Sequence, residues 1–311
     1  MRYVIFRKGG EARLGAVTGS ERVIDLAAGY SRHLATRGVF AAERIARSLL
    51  PPDLVAVLEA GPLSKNAAMR AIEQADQEGG NLVTDLANVT LDAPIRPHKI
   101  FGVRRNYSLH AEEAAVQESE EPRMFFKLPQ AVIGPGAAIE HNFTEKMDYE
   151  AELVLIIGKK AKNIARADAL DYVAGYALGN DISARELQLD WTPQQTSLAK
   201  SFDTHAPLGP WVATTDEFAA SPPEVTLRCW VNDELRQEAS TNTMLFPIDQ
   251  IVAYLAQFVT LNPGDAIYTG TPAGVGAFME PPGYLNPGDT VKVAADGLGE
   301  LINPVVVAPT A

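Results

Sequence analysis

Two glutamates separated by one residue open the stretch of this chain with the clearest chemical content, Asp148-Tyr149-Glu150-Ala151-Glu152-Leu153-Val154-Leu155-Ile156-Ile157-Gly158. β-Branched and other apolar residues fill its second half and Gly158 closes it, the pattern of a strand. Side chains alternate between the faces of a strand, so Glu150 and Glu152 share a face with Val154 and Ile156. Like charges on a strand that is apolar on both faces repel and lose hydration, and need a cation or a shared proton. A bound metal ion is one such cation. A pair of exposed glutamates at a strand end is the plainer alternative.

A second stretch, Gly175-Tyr176-Ala177-Leu178-Gly179-Asn180-Asp181-Ile182-Ser183-Ala184-Arg185-Glu186, is an apolar strand ending at Asn180-Asp181. A helix with Ser183 near its start is expected to follow. Asp181 then supplies a third carboxylate. Three oxygen ligands with no cysteine or histidine beside them suit Mg²⁺, Mn²⁺ or Ca²⁺ better than zinc. Arg185 and Gln188 lie one turn apart and could bind a substrate carboxylate or keto oxygen, or Arg185 could pair with Glu186 or Asp190. His110 and Glu113 stand at i, i+3, neighbours if helical, so the carboxylate can hold and polarise the imidazole. An exposed histidine on an acidic helix is the alternative.

With these segments the chain resembles the fumarylacetoacetate hydrolase superfamily, in which a Glu-x-Glu strand precedes a Gly-Asn-Asp-x-Ser-Ala-Arg segment. Further matching segments come in the family's order: KIFGVRRNYSLHAEE at 99–113, FFKLPQAVIGP at 125–135, KSFDTHAPLGP at 200–210 and NPGDAIYTGTPAGVG at 262–276. The resemblance spans about residues 95–311, with acylpyruvate hydrolase and 2-hydroxyhepta-2,4-diene-1,7-dioate isomerase-like members in view. It implies metal ligation by Glu150, Glu152 and Asp181, and activation of water by His110 and Glu113 on a segment that orders over the substrate. It also implies a Lys200 that reaches the metal site and stabilises negative charge, and substrate contacts from Arg105, Tyr107 and Thr271. A homodimer acting on a small oxo acid is the implied setting.

The expected activity is Mg²⁺- or Mn²⁺-dependent hydrolysis of a C–C bond in a 2,4-dioxo, acylpyruvate-like acid. Decarboxylation of an oxaloacetate-like acid, or isomerisation or tautomerisation of an unsaturated oxo diacid, shares the same metal and enolate chemistry. A non-catalytic, metal-stabilised binding protein would require a broken catalytic set, and here the set is complete. Arg104 stands where the family commonly has glycine, Leu128 where it has proline and Gln130 where serine or threonine is common. These departures cluster where substrate would lie.

Those side chains need a scaffold that is expected to be α+β and mainly β: the family's mixed β-sandwich roll behind a small N-terminal α/β domain. Short strands at 100–103, 124–127, 151–157, 225–231, 266–269 and 290–293, separated by Pro/Gly turns, suggest a rolled or barrel-like sheet. Helices are expected at about 168–174 and 249–258. Residues 1–93 read as a structural unit, a meander of strands at 3–7, 13–17 and 22–26 followed by helices near 41–49, 53–60 and 64–77. Two prolines at 94 and 97 mark the boundary with a catalytic domain at 94–311. The segment 108–122 is poor in large apolar residues and reads as a lid.

Composition narrows the partners. A net charge of −12 argues against nucleic acid and against anionic membranes. The single cysteine, Cys229, forbids an intrachain disulfide and reads as a packed strand residue. The N-terminal apolar run is too short for a signal peptide and no stretch reaches membrane-spanning length, so a cytoplasmic location is expected.

Overall fold

The computed structural model describes every residue except 20, 114–118, 142 and 310–311, and describes only the backbone of 111 and 112. Strand outnumbers helix, and the strands form several sheets. In the large sheet, Ala151–Ile157 lies between Val173–Asn180 and Ala266–Tyr268, antiparallel to both. Beyond Ala266–Tyr268 come Ile100–Arg104 and, at the edge, Arg123–Lys127. On the other side, Val173–Asn180 pairs with Ala206–Thr214, and that strand pairs with Arg2–Lys8. The meander Arg2–Lys8, Glu11–Thr18 and Arg22–Asp25 therefore extends the same sheet.

A five-stranded sheet, from Glu234–Ser240 through Thr226–Val231, Thr290–Ala295 and Gly299–Val307 to Ile139–His141, forms a second layer. One core lies between the layers, where Leu153, Leu155 and Ile157 meet Leu227, Cys229 and Val293. Val154 and Ile156 point the other way, into a core shared with Leu26, Ala67 and Ala68 of the N-terminal helices Leu26–Ala35 and Pro62–Glu78. The strand that carries the glutamates is thus buried on both faces. Cys229 is fully buried, as expected of a packed residue, and burial pushes its thiol up.

Several expectations need correction. The large sheet is open: its edge strands, Val83–Asp85 and Arg123–Lys127, do not pair, so no barrel forms among the described residues. No helix begins at Ser183. Ser183–Ala184 pairs as a strand with Met147–Asp148, and the Ser183 hydroxyl donates to the Asp181 carbonyl instead of capping a helix. Helical turns come later, at Glu186–Asp190. The third N-terminal strand stops at Asp25, whose carboxylate accepts from the Ala28 N–H and caps the unforeseen helix Leu26–Ala35. Arg166–Tyr172 is a 3₁₀ segment that ends before the strand at Val173. Among the described residues no helix is long and apolar enough to cross a membrane.

Candidate metal centre and active site

Antiparallel pairing of the two central strands sets Ala151 opposite Asn180, which places Glu150 and Asp181 side by side at their ends. The Asp181 N–H donates to the Glu150 carbonyl at 2.8 Å, and the Asn180 side chain accepts from the Glu150 N–H at 3.0 Å. Glu152, two residues in, projects to the same side. One carboxylate oxygen from each of Glu150, Glu152 and Asp181 lies within 4.8 Å of the others, and all three residues are buried.

The electrostatics of the three differ. Burial alone would raise the Glu150 pKa, but the charges of Lys200 and Arg185 hold it well below the usual carboxylate range. Lys200 Nζ lies 2.8 Å from Glu150 and 2.6 Å from Asp181. Lys127 Nζ binds the other Asp181 oxygen and the Lys200 carbonyl. Glu152 makes no ion pair among the described residues. Burial and the charges of Asp181 and Glu150 raise its pKa well above normal. Its Oε2 accepts from the Gly270 N–H at 2.6 Å, while its buried Oε1 has no hydrogen-bond partner among the described residues. An unsatisfied carboxylate oxygen beside two further anions is the environment a hard divalent cation relieves, and the donor set fits Mg²⁺, Mn²⁺ or Ca²⁺.

Arg185 pairs with neither Glu186 nor Asp190. Its Nε lies 2.8 Å from Asp148, and its Nη1 lies 2.8 Å from Glu150 and 2.6 Å from Gln188 Oε1. Glu186 instead accepts from the Lys146 and Glu145 N–H groups, and Asp190 pairs with Lys146. Asp148, which the sequence did not single out, is the hub of this arrangement: besides Arg185 it accepts from the N–H groups of Gly276 and Ala277. Lys127 was likewise legible only as the residue before a missing proline.

His110 closes the site from above. It stands on the short helix Ser108–Glu113, with Nδ1 3.2 Å from Glu113 Oε2. Glu113 in turn accepts from the Gly274 N–H at 3.1 Å, which fixes the pair to the loop after Thr271. A small cavity is lined by His110, Glu150, Lys200, Arg185, Gln188 and Thr271, together with Arg104, Arg105, Phe125 and Phe278. The Thr271 hydroxyl is engaged on both sides, donating to the Ala151 carbonyl and accepting from Gln237. Tyr107 does not line the cavity. It is buried, and the charge of Glu152 adds to burial in raising its pKa. Of the expected lid, residues 114–118 lie outside the described residues, and Ser108–Glu113 is helical with His110 buried against the cavity.

The family model described as "Fumarylacetoacetate (FAA) hydrolase C-terminal" matches residues 99–306, two thirds of the chain. The chain belongs to the fumarylacetoacetate hydrolase family. Among its relatives, the "Fumarylacetoacetate hydrolase domain-containing protein 2 homolog" of Dictyostelium discoideum is 42% identical over 71% of this chain and 75% of the relative. "Oxaloacetate tautomerase fahd2, mitochondrial" of Xenopus laevis is 40% identical over 83% of this chain and 79% of the relative. The structure is similar to that of maleylpyruvate hydrolase from Sphingobium sp. SYK-6 in complex with manganese (II) ion and pyruvate, with a TM-score of 0.75, 29% identity and coverage of 99% of this chain and 100% of that one. The chain is a metal-dependent enzyme of this family, with its acidic triad at the end of the central strands.

Proposed function

We propose that the protein moves a proton between the keto and enol forms of a short 2-oxo diacid such as oxaloacetate. One observation carries this reading: His110, held by Glu113, shares a single small cavity with Glu150 and Lys200. The name of the Xenopus relative supports the reaction and a short acid. With Nδ1–H donated to Glu113, Nε2 is left as the acceptor that takes a proton from C3 of the keto form and delivers it to the 2-oxygen of the enol, with the reverse transfer restoring the keto form. Lys200 and Arg185 supply positive charge close to the oxygen that becomes anionic. A divalent ion held by Glu150, Glu152 and Asp181 would supply Lewis-acid polarisation of the 2-oxo acid.

The same dyad supports a second reading, the hydrolysis of a 2,4-dioxo acid, in which His110 takes its proton from water. The likeness to maleylpyruvate hydrolase favours it. Decarboxylation of oxaloacetate is a third outcome that needs no attacking water. The test is to follow the enol absorbance of oxaloacetate, pyruvate formation, and cleavage of an acylpyruvate with the Mg²⁺-loaded enzyme. Tautomerisation should outpace both other reactions. Cleavage of the acylpyruvate, with keto–enol exchange no faster than Mg²⁺ alone gives, would replace the first reading with the second.

A further inference from the structure

Two adjacent guanidinium groups in the cavity have no anionic partner among the described residues. Arg104 ends the strand Ile100–Arg104, and the hydrogen bond its side chain makes is a long 3.4 Å contact to the Thr196 hydroxyl. Arg105 follows in a left-handed backbone conformation, φ +60°, which a bulky side chain adopts only at a steric cost and which recurs at functional sites. Both side chains are half-buried, and among the described residues neither has a carboxylate within ion-pair distance. Glu150, whose charge both feel, is already bound by Arg185 and Lys200. Burial and the positive charges of Arg104 and Arg123 push the Arg105 guanidinium down to about 10, so it stays charged at neutral pH. Arg104 and Phe125 also line an adjoining outer groove that contains Arg123 and, among the described residues, no acidic side chain. Half-buried like charges without a counter-ion are costly, and a bound anion relieves that cost.

We propose that Arg104 and Arg105 form a subsite for a second carboxylate at the end of the substrate remote from its 2-oxo group, so that the protein selects 2-oxo diacids over 2-oxo monoacids of equal length. The proposal rests on the 2-oxo acid reading of the same cavity and adds to it what fixes the far end. A guanidinium presents paired N–H donors that match a carboxylate, which makes arginine the fitting residue at such a position. Arg104 has only a weak contact to hold it, so its donors remain open to the ligand.

The experiment uses the Mg²⁺-loaded full-length protein and two ligands that differ only in the terminal group, 2-oxoglutarate and 2-oxopentanoate, titrated calorimetrically. The wild type should bind the diacid about 10- to 100-fold more tightly, as expected for a charge-assisted hydrogen-bond pair. In Arg104→Met, which keeps the apolar stem, that ratio should collapse to about threefold or less. Arg104→Lys, which keeps charge without the fork, should fall between the two. A wild type with no preference, or an Arg104→Met with the full preference, overturns the subsite. If oxaloacetate tautomerisation fails while the preference and its loss are seen, the subsite stands and the proposed reaction falls. If tautomerisation is seen with no preference, the reverse holds.

Discussion

Glu152 stands on a central strand of the large sheet, and Glu150 and Asp181 stand just beyond the paired ends of the two central strands, where a ladder of backbone pairs fixes them and both faces are packed. His110 and Glu113 stand on a six-residue helix outside the sheet, and the Gly274 N–H holds Glu113 in place. The floor of the cavity is thus set by strand register, which cannot shift by one residue without turning the carboxylates to the opposite face. The roof is set by a few local contacts. Cation binding and proton transfer should therefore be separable by substitution, although Glu150 and His110 line one cavity.

The largest effect should come from the floor. Glu152→Gln is the sharper choice there, because removing Glu150 would also take an ion-pair partner from both Arg185 and Lys200. Glu152 has no ion-pair partner among the described residues and a raised pKa, so a neutral amide of the same shape suits the metal-free fold. Mg²⁺ affinity should fall by more than the roughly 10- to 100-fold expected for loss of a residue that only orients a ligand. Turnover should be lost with it, while the melting temperature without metal is maintained. Wild-type Mg²⁺ affinity in this variant, read by calorimetry, would remove Glu152 from the ligand set.

The roof should respond differently. His110→Ala is expected to lower the rate by about 10²–10⁴, the usual contribution of a general base, while Mg²⁺ affinity remains. The two measurements are kcat on oxaloacetate and a metal titration of the same preparation. A parallel loss of both would mean that floor and roof are one unit and the comparison is wrong.

The same contrast explains what the sequence made legible. Strand alternation alone put Glu150 and Glu152 on one face, and the structure brings both to Asp181. Ala151–Ile157 matches its expected bounds because its residues are apolar on both faces. Ala206–Thr214 was not foreseen, since its Pro207, Gly209 and Pro210 read as punctuation, although the strand links the N-terminal meander to the central strands. Glu234–Ser240 was hidden by its charged residues, which a strand at the edge of a sheet tolerates. Spacing offered His110 and Glu113 as a pair but left an exposed acidic helix open, and only the family resemblance decided between them, because i, i+3 spacing is common on exposed helices. Asp148 had no local signal. Its role comes from a loop more than a hundred residues away, whose N–H groups it accepts.

The smallest effect should come from the Gly274 N–H, a backbone group that ties roof to loop. Gly274 has φ +102°, and a Cβ there would collide with the Arg236 carbonyl oxygen. Gly288 has the same φ, +102°, but a Cβ there would meet nothing within 4 Å. Alanine at either position meets the left-handed backbone penalty, about 1–2 kcal/mol. Only at Gly274 must the neighbouring chain also move, taking with it the N–H that holds Glu113. Gly288→Ala should therefore lower stability by about that amount and leave kcat as it was. Gly274→Ala should be less stable still and lose up to about 10²-fold in kcat through misplacement of His110, with Mg²⁺ affinity maintained. The pair is measured by denaturant unfolding, kcat and metal titration. A Gly274→Ala protein that is destabilised yet turns over at the wild-type rate would show that the Gly274 contact does not position the dyad.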